Sequence, residues 1–443
     1  MRWLMIAAVL VVVSGGVWWW WSQRLPAVPP IAHVLPPAGV PPLPADLATA
    51  QGPVIAWNAH TQSRFEPCGC TAGMYGGLVR RAGLLARVPS ERLLALELGG
   101  WSAGPLDYQV IKSGYYLQGL ARVGIRAVAV GTSEVALGAP ILSSLAASAQ
   151  RSQVQLLAAN VQGAAGILPA LRIQVGGKEV LLTAVVPSQA RGVGLTVTDP
   201  VDALLPVIAT AGTASVVVMA DLDEAGLAAL ARALPHVSLI IGGAVESPTP
   251  EPLAIGSVRV VHVANHGKTM GWWAWGSDRC RFELIHDTLP DNQELRTLVG
   301  EYQHKLRVTD LAVDHSLPGG GFVGDATCTA CHTNAAEIHR VSRHAQAFAS
   351  LERKNYQHDP ECIRCHVTAF AQPGGYLRQQ PKDWRASVSC ESCHGPGQAH
   401  VAAAGRGSPL RPVGAATCAR CHDAENSPQF KYDEYWKRIV HER

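Results

Sequence analysis

Charge is scarce in this chain: Asp, Glu, Lys and Arg make up 16% of its 443 residues, and the formal net charge is only +3. With 48% hydrophobic residues beside it, that scarcity excludes a disordered composition and a nucleic-acid-binding one. The length allows two or three ordinary domains. No sustained internal repeat organises residues 52–289. A small-x-small cleavage site is also missing after the apolar run Trp3 to Trp21, which is broken only by Ser14, Gly15 and Gly16. As a helix that run is about 28 Å long, close to the hydrocarbon thickness of a bilayer. Trp18 to Trp21 sit where an aromatic belt would meet the headgroups, so residues 1–24 are expected to be an uncleaved anchor rather than a cleaved leader. Residues 25–51 hold Pro26, Pro29, Pro30, Pro36, Pro37, Pro41, Pro42 and Pro44, a density expected to give an extended, stiff spacer without helix or sheet.

What the sequence has in quantity lies at the other end. Cys-x-x-Cys-His occurs there four times: Cys328-Cys331-His332, Cys362-Cys365-His366, Cys390-Cys393-His394 and Cys418-Cys421-His422. Two thiols at this spacing can form thioethers to the two vinyl groups of one haem, and the adjacent imidazole then ligates the iron. The competing chemistry is zinc in Cys₄ sites. Histidine is 17 of 443 residues, so its chance occurrence after all four pairs is on the order of 2 in a million, and zinc ribbons do not require it. Nine histidines follow Gly324 and four are proximal, leaving His339, His344, His358, His400 and His441 as distal candidates. Four covalently bound haems c are therefore expected. Their propionates are missing from the net charge, so the sequence pI says nothing about partners. About thirty residues per macrocycle is too few for an ordinary core, so the porphyrins should fill it. The aromatics Phe348, Tyr356, Phe370, Tyr376, Trp384, Phe430 and Trp436 are expected to pack on them. Covalent haem attachment takes place outside the cytoplasm, which places residues 25–443 on the periplasmic side of the inner membrane.

Residues 52–289 read as strand, helix, strand. Aliphatic runs at Val54-Trp57, Leu93-Leu98, Ala127-Val130, Val154-Ala158, Val216-Met219, Val237-Ile241 and Val258-Val263 alternate with helical stretches at Tyr108-Val123, Ile141-Ala149 and Asp223-Leu234. A hairpin is expected around Gly176-Gly177. This predicts an α/β domain with a buried sheet. Residues 290–321 form a connector whose helix, Asn292 to Arg307, carries Leu295, Leu298, Val299, Tyr302 and Leu306 on one side. Cys68, Cys70 and Cys280 lie outside the haem motifs. Cys68 and Cys70 are too close for an easy mutual bridge, so one disulfide to Cys280 is the plain expectation, with a redox or metal-binding role as the alternative.

The order of motifs in residues 52–286 resembles the calcineurin-like metallophosphoesterases of the 5'-nucleotidase type. It runs through Arg64-Phe65-Glu66-Pro67, a strand ending in Gly99, Val130-Gly131-Thr132-Ser133-Glu134 and Ile240-Ile241-Gly242-Gly243. The resemblance implies loops holding two metals, but here His60-Thr61-Gln62, Gly99-Gly100, Thr132-Ser133, Asp221 and Gly243-Ala244-Val245-Glu246 stand in the ligand positions. Without the bridging carboxylate the fold is expected to persist without the hydrolase, although His60, Glu134, Asp221 and Glu246 could form an altered site. From residue 322 to 443 the chain resembles the cytochrome c-554-type multihaem family. Phe322-Val323-Gly324, Ser342-Arg343-His344-Ala345, Asp359-Pro360-Glu361, Pro373-Gly374-Gly375 and the run from Val388 to Gly397 carry that resemblance. It implies His344 and His400 as distal ligands and His441 as a third, leaving the fourth iron to His358, His339 or an empty position.

The fold expected is thus α/β followed by a mainly helical, loop-rich multihaem domain, behind one transmembrane helix. The function expected is a membrane-anchored, periplasm-facing tetrahaem cytochrome passing electrons between redox partner proteins, with no catalytic residue assigned and no nucleic-acid partner. The alternatives are an oxidoreductase acting on a small nitrogen or sulfur compound at a five-coordinate haem, and a divalent-metal phosphohydrolase.

Overall fold

Strands that are apolar at almost every position need cover on both faces. The computed structural model describes residues 38–67, 74–309, 311, 317, 319–376, 384–406, 410–423, 426–427 and 429–441. These divide into two compact units, one built from residues up to 67 and from 75–298, the other from residue 299 onward. The apolar run at residues 3–21, most of the proline-rich stretch, Cys68 and Cys70 lie outside the described residues. Among the described residues no helix is long and apolar enough to cross a membrane.

The first unit contains β1 (Val54–Asn58), β2 (Leu93–Glu97), β3 (Ala127–Ala129), β4 (Gln155–Leu157), β5 (Val161–Gln162), β6 (Ile167–Leu168), β7 (Ala170–Val175) and β8 (Lys178–Val185). Then come β9 (Thr196–Val197), β10 (Ser215–Ala220), β11 (Leu239–Val245), β12 (Leu253–Ile255), β13 (Val258–Ala264), β14 (Thr269–Ala274) and β15 (Cys280–Leu284). One sheet has seven strands in the order β15-β14-β1-β2-β3-β4-β6, and a second has six in the order β12-β13-β11-β10-β8-β7. β1 to β4 run parallel, as do β8, β10, β11 and β13, while β7 and β8 form the antiparallel hairpin around Gly176-Gly177.

The two sheets share one core. Ile55, Trp57, Leu94 and Leu96 from the first meet Val180, Leu182, Val217, Met219, Leu239 and Ile241 from the second. Their alternate neighbours, Leu181, Val216, Val218 and Ile240, face the other way into a cluster with Leu204, Leu227 and Leu230 of the helices Pro200–Ala209 and Glu224–Ala233. The period-2 alternation of the strands thus supplies two cores from one sheet.

Several local features depart from expectation. The helix Ala45–Thr49 stands inside the proline-rich stretch, with Leu47 buried and its last carbonyls held by Arg92. Pro44 only precedes that helix, where a missing N–H costs nothing. The helices Leu78–Leu85 and Pro200–Ala209 and the strands β14 and β15 come in addition to the expected elements. Asp199 accepting from Val201 N and Asp202 N, with Pro200 as the first helical residue, is the cap signal that marks one of them. Cys280 is buried in the inter-sheet core and has no disulfide partner among the described residues, the expected partners Cys68 and Cys70 lying outside them, and burial together with Glu251 pushes its pKa up to about 12.

In the second unit the helices are short, and the apolar cluster there comprises Phe348, Leu351, Ile363, Val367 and Tyr376, with Tyr356 and Phe370 packed against it. These aromatics pack against one another, Phe348 and Tyr376 lying 5.9 Å apart. The helix Gln293–Thr309 buries Leu295, Leu298, Val299, Tyr302 and Leu306, the stripe its periodicity required.

Trp57 on β1 lies directly opposite Gly271 on β14, and a methyl group at Gly271 would fall 2.0 Å from the indole ring. Gly271→Ala is expected to lower the unfolding free energy by about 1–3 kcal/mol, checked by denaturant melts followed by circular dichroism.

Candidate haem-binding site

Each Cys-x-x-Cys-His motif lies on or beside a short helical turn, and two of the turns are tied to each other. Asp325, opening the helix Asp325–Thr329 of the first motif, accepts from Cys390 N of the third at 3.0 Å. In return Glu391, buried between the two cysteines of the third motif, accepts from Val323 N at 3.0 Å, Gly324 N at 2.8 Å and Gly397 N at 2.7 Å. Gly395 closes the third helix with φ of 84°, a conformation open to glycine. The second motif sits on the helix Pro360–His366, capped by Asp359, whose other oxygen accepts from Gln303 Nε2 at 3.1 Å and Tyr302 Oη at 3.3 Å.

The imidazoles pair across the fold. Ring centroids of His332 and His400 are 6.2 Å apart, those of His422 and His344 6.1 Å, and those of His394 and His441 5.9 Å. Metal–nitrogen bonds of about 2 Å, and about 1.1 Å from nitrogen to ring centre, put two imidazoles on one iron about 6 Å apart, centre to centre. The three separations therefore fit a haem iron between each pair. Burial, more than any neighbouring charge, holds His344, His394 and His422 below the ordinary histidine pKa, which favours the neutral, ligating form.

His366 is oriented by Nδ1, which donates to Ala347 O at 2.7 Å and so leaves Nε2 as the ligating nitrogen of that tautomer. His339 donates from Nε2 to Val388 O at 2.8 Å and has Nδ1 3.9 Å from Asp325, so only Nδ1 is left to ligate. His358 is half-buried, with an Nδ1 that has no hydrogen-bond partner among the described residues, and burial followed by the charge of Arg307 lowers its pKa. The cysteines also approach one another between motifs. Cys328 and Cys390 are in hydrogen-bond reach, as are Cys365 and Cys421, and Cys393 lies within the field of Cys418. Sequence reasoning missed Phe430 as a ligand support: its ring stacks on His422 at 4.7 Å and 13°. Ser427, whose Oγ lies 3.2 Å from His422 Nδ1, and Glu391 were missed too, and no local pattern announces them.

The loop positions singled out in the α/β unit as an altered metal site are engaged otherwise. Glu134 is fully buried and accepts from Gly100 N at 3.0 Å, Gly131 N at 2.9 Å and Ser102 N at 2.9 Å. Asp221 accepts from Thr132 N at 2.6 Å, and Gly99 and Gly131 approach so closely that a methyl group on either would fall 2.6 Å from the other's Cα. Glu246 is exposed, 3.7 Å from His266. Among the described residues His60, Glu134, Asp221 and Glu246 do not gather into a metal-binding group. The one such group among them is Asp325, His339 and Cys390, in the other unit.

Comparison with known proteins assigns the two units separately. Residues 327–395 match the family of cytochrome c554 and c-prime. The match implies haem c bound through the thiols of that region, and it stops short of the fourth motif. Cytochrome c-554 of Nitrosomonas europaea is 37% identical over 92 residues, which is 17% of this chain and 39% of that protein. A 5'-nucleotidase precursor from Thermus thermophilus superposes with a TM-score of 0.50 at 20% identity, over 62% of each chain. The calcineurin-like phosphoesterase YfkN of Bacillus subtilis gives 0.47 at 17% identity, over 57% of this chain and 97% of its own. The chain thus spans about two-fifths of the curated relative and 62% of the nucleotidase. The likeness to the nucleotidase establishes the phosphoesterase-like α/β fold and nothing about activity.

His400→Ala is expected to convert one low-spin haem to high spin, seen as a new axial ferric signal in electron paramagnetic resonance, with covalent haem content unchanged. Glu134→Ala leaves three backbone donors without their acceptor and should cost about 3 kcal/mol of stability in denaturant melts.

Proposed function

We propose that the chain is a membrane-anchored tetrahaem electron carrier whose globular units face the periplasm and exchange electrons with redox partner proteins. The observation that carries this reading is the set of three imidazole pairs 5.9–6.2 Å apart, since an iron with both axial positions filled transfers electrons without binding a substrate. Haem held in this way supplies reversible one-electron chemistry. The chain fixes tautomers through Ala347 and orders the attachment points. Cysteine sulfurs in hydrogen-bond reach link the first motif to the third and the second to the fourth, and Cys393 of the third lies within the field of Cys418 of the fourth. A chain of neighbouring sites of that kind suits relay of single electrons from one end of the domain to the other.

The apolar run from Trp3 to Trp21 supports the anchor, and haem attachment through cysteine supports the periplasmic side. The α/β unit is proposed to serve as scaffold or docking surface. It is given no hydrolytic role, because Glu134 and Asp221 are engaged with backbone amides.

A second reading places a five-coordinate, substrate-binding haem at the second motif. It is favoured by the engagement of His339 Nε2 with Val388 O, which leaves that candidate for the fourth distal position only Nδ1. One set of measurements separates the two. Pyridine haemochrome assay of the purified chain should give four haems, and paramagnetic resonance should show low-spin ferric signals only. A high-spin signal that shifts on adding a small ligand such as cyanide establishes the second reading, and a colourless protein loaded with zinc rejects both. Recovery of the protein in the membrane fraction, and its release on deletion of residues 1–24, tests the anchor.

A further inference from the structure

The fourth motif lies outside the residues matched by the cytochrome c554 family, and the chain beyond it folds back onto its histidine. Ser427 N donates to Asp423 O at 2.8 Å, and Phe430 N donates to Ser427 O at the same distance. The side chain of Asp423 braces this turn by accepting from Asn426 N at 2.6 Å. The turn brings Ser427 and Phe430 against different parts of one imidazole.

Ser427 is buried, with Oγ 3.2 Å from Nδ1 of His422. Ligation of iron through Nε2 leaves the proton on Nδ1, so Nδ1 donates and the hydroxyl oxygen accepts. Phe430 lies flat on the imidazole, 4.7 Å away and 13° from parallel. Tyr435 meets both rings edge-on, Phe430 at 5.0 Å and 66° and His422 at 5.9 Å and 63°. The hydrogen bond fixes the tautomer and one edge of the ring, and the stack fixes its plane, which is turned 60° from that of His344. At the second motif the corresponding acceptor is a backbone carbonyl, Ala347 O, 2.7 Å from His366 Nδ1. At the fourth it is a side chain, which a single substitution can change.

We propose that Ser427 and Phe430 are positioning residues that act through His422 to set the electronic state and reduction potential of the iron it holds. The inference rests on the tetrahaem reading. An imidazole that donates from Nδ1 is the more basic at Nε2, and a more basic ligand favours ferric over ferrous iron. A ring that cannot turn keeps its π system at a constant angle to that of His344, and so holds the splitting of the iron d orbitals at one value.

The test is an optical redox titration of the full-length haem-loaded chain, with His344→Ala identifying the fourth haem by its change to high spin. Ser427→Ala should shift the one-electron equilibrium of that haem about tenfold toward the ferrous form, about 59 mV upward, with haem content, melting temperature and low-spin state unchanged. Ser427→Thr keeps the hydroxyl and should restore the original potential. Phe430→Leu should move the ferric g values of the same haem in paramagnetic resonance, whereas Phe430→Tyr, which can still stack, leaves them in place. The Phe430 pair keeps the proposal testable if Ser427→Ala does not fold. An unmoved potential in Ser427→Ala, or unmoved g values in Phe430→Leu, overturns the proposal while the tetrahaem reading stands. So does a high-spin signal in either variant, since the residue would then hold the ligand on the iron rather than tune it. Absence of haem from Cys418 and Cys421 in the unsubstituted chain overturns the proposal together with the tetrahaem reading.

Discussion

An iron that takes an imidazole on each side fixes the separation of two residues to within a few tenths of an ångström, wherever they lie in the sequence. Under the proposed ligation, that requirement shapes the second unit. Its own apolar cluster, around Phe348, Ile363 and Tyr376, is too small to define a domain of this length. The long-range order comes instead from the ligand pairs and from the reciprocal carboxylates Asp325 and Glu391, which lock the first and third motifs together. Secondary structure here is subordinate to ligation: the helices are single turns that present cysteines and histidines and then stop.

The α/β unit obeys the opposite logic. Its sheets are apolar on both faces, its core is continuous, and its buried carboxylates are each matched to specific donors. Glu134 illustrates how one carboxylate can order several loops. With glycine at positions 99 and 131 the loops approach to contact, and Glu134 collects the backbone amides of residues 100, 102 and 131.

The covalent chemistry of the haem unit was legible in the sequence because thioether attachment demands consecutive residues. The approach of imidazoles to one another was not legible: His344, His400 and His441 stood out by resemblance, but no spacing says that His344 lies beside His422 across an intervening pair of motifs. His339 sits at a plausible distance in sequence, and its Nε2 meets a carbonyl that only the folded chain brings near. In the α/β unit the β-branched strands were readable, whereas β14 was not, since Thr-Met-Gly-Trp-Trp-Ala has a glycine at its centre. That glycine is there for the indole of Trp57 to lie over, a reason that exists only once β1 is its neighbour.

The crossing of the imidazole pairs has a consequence for folding. His400 lies opposite His332 of the first motif, His344 opposite His422 of the fourth, and His441 opposite His394 of the third. Each pairing closes a long loop that contains at least one other motif, so the unit cannot settle motif by motif in sequence order and must gather as a whole.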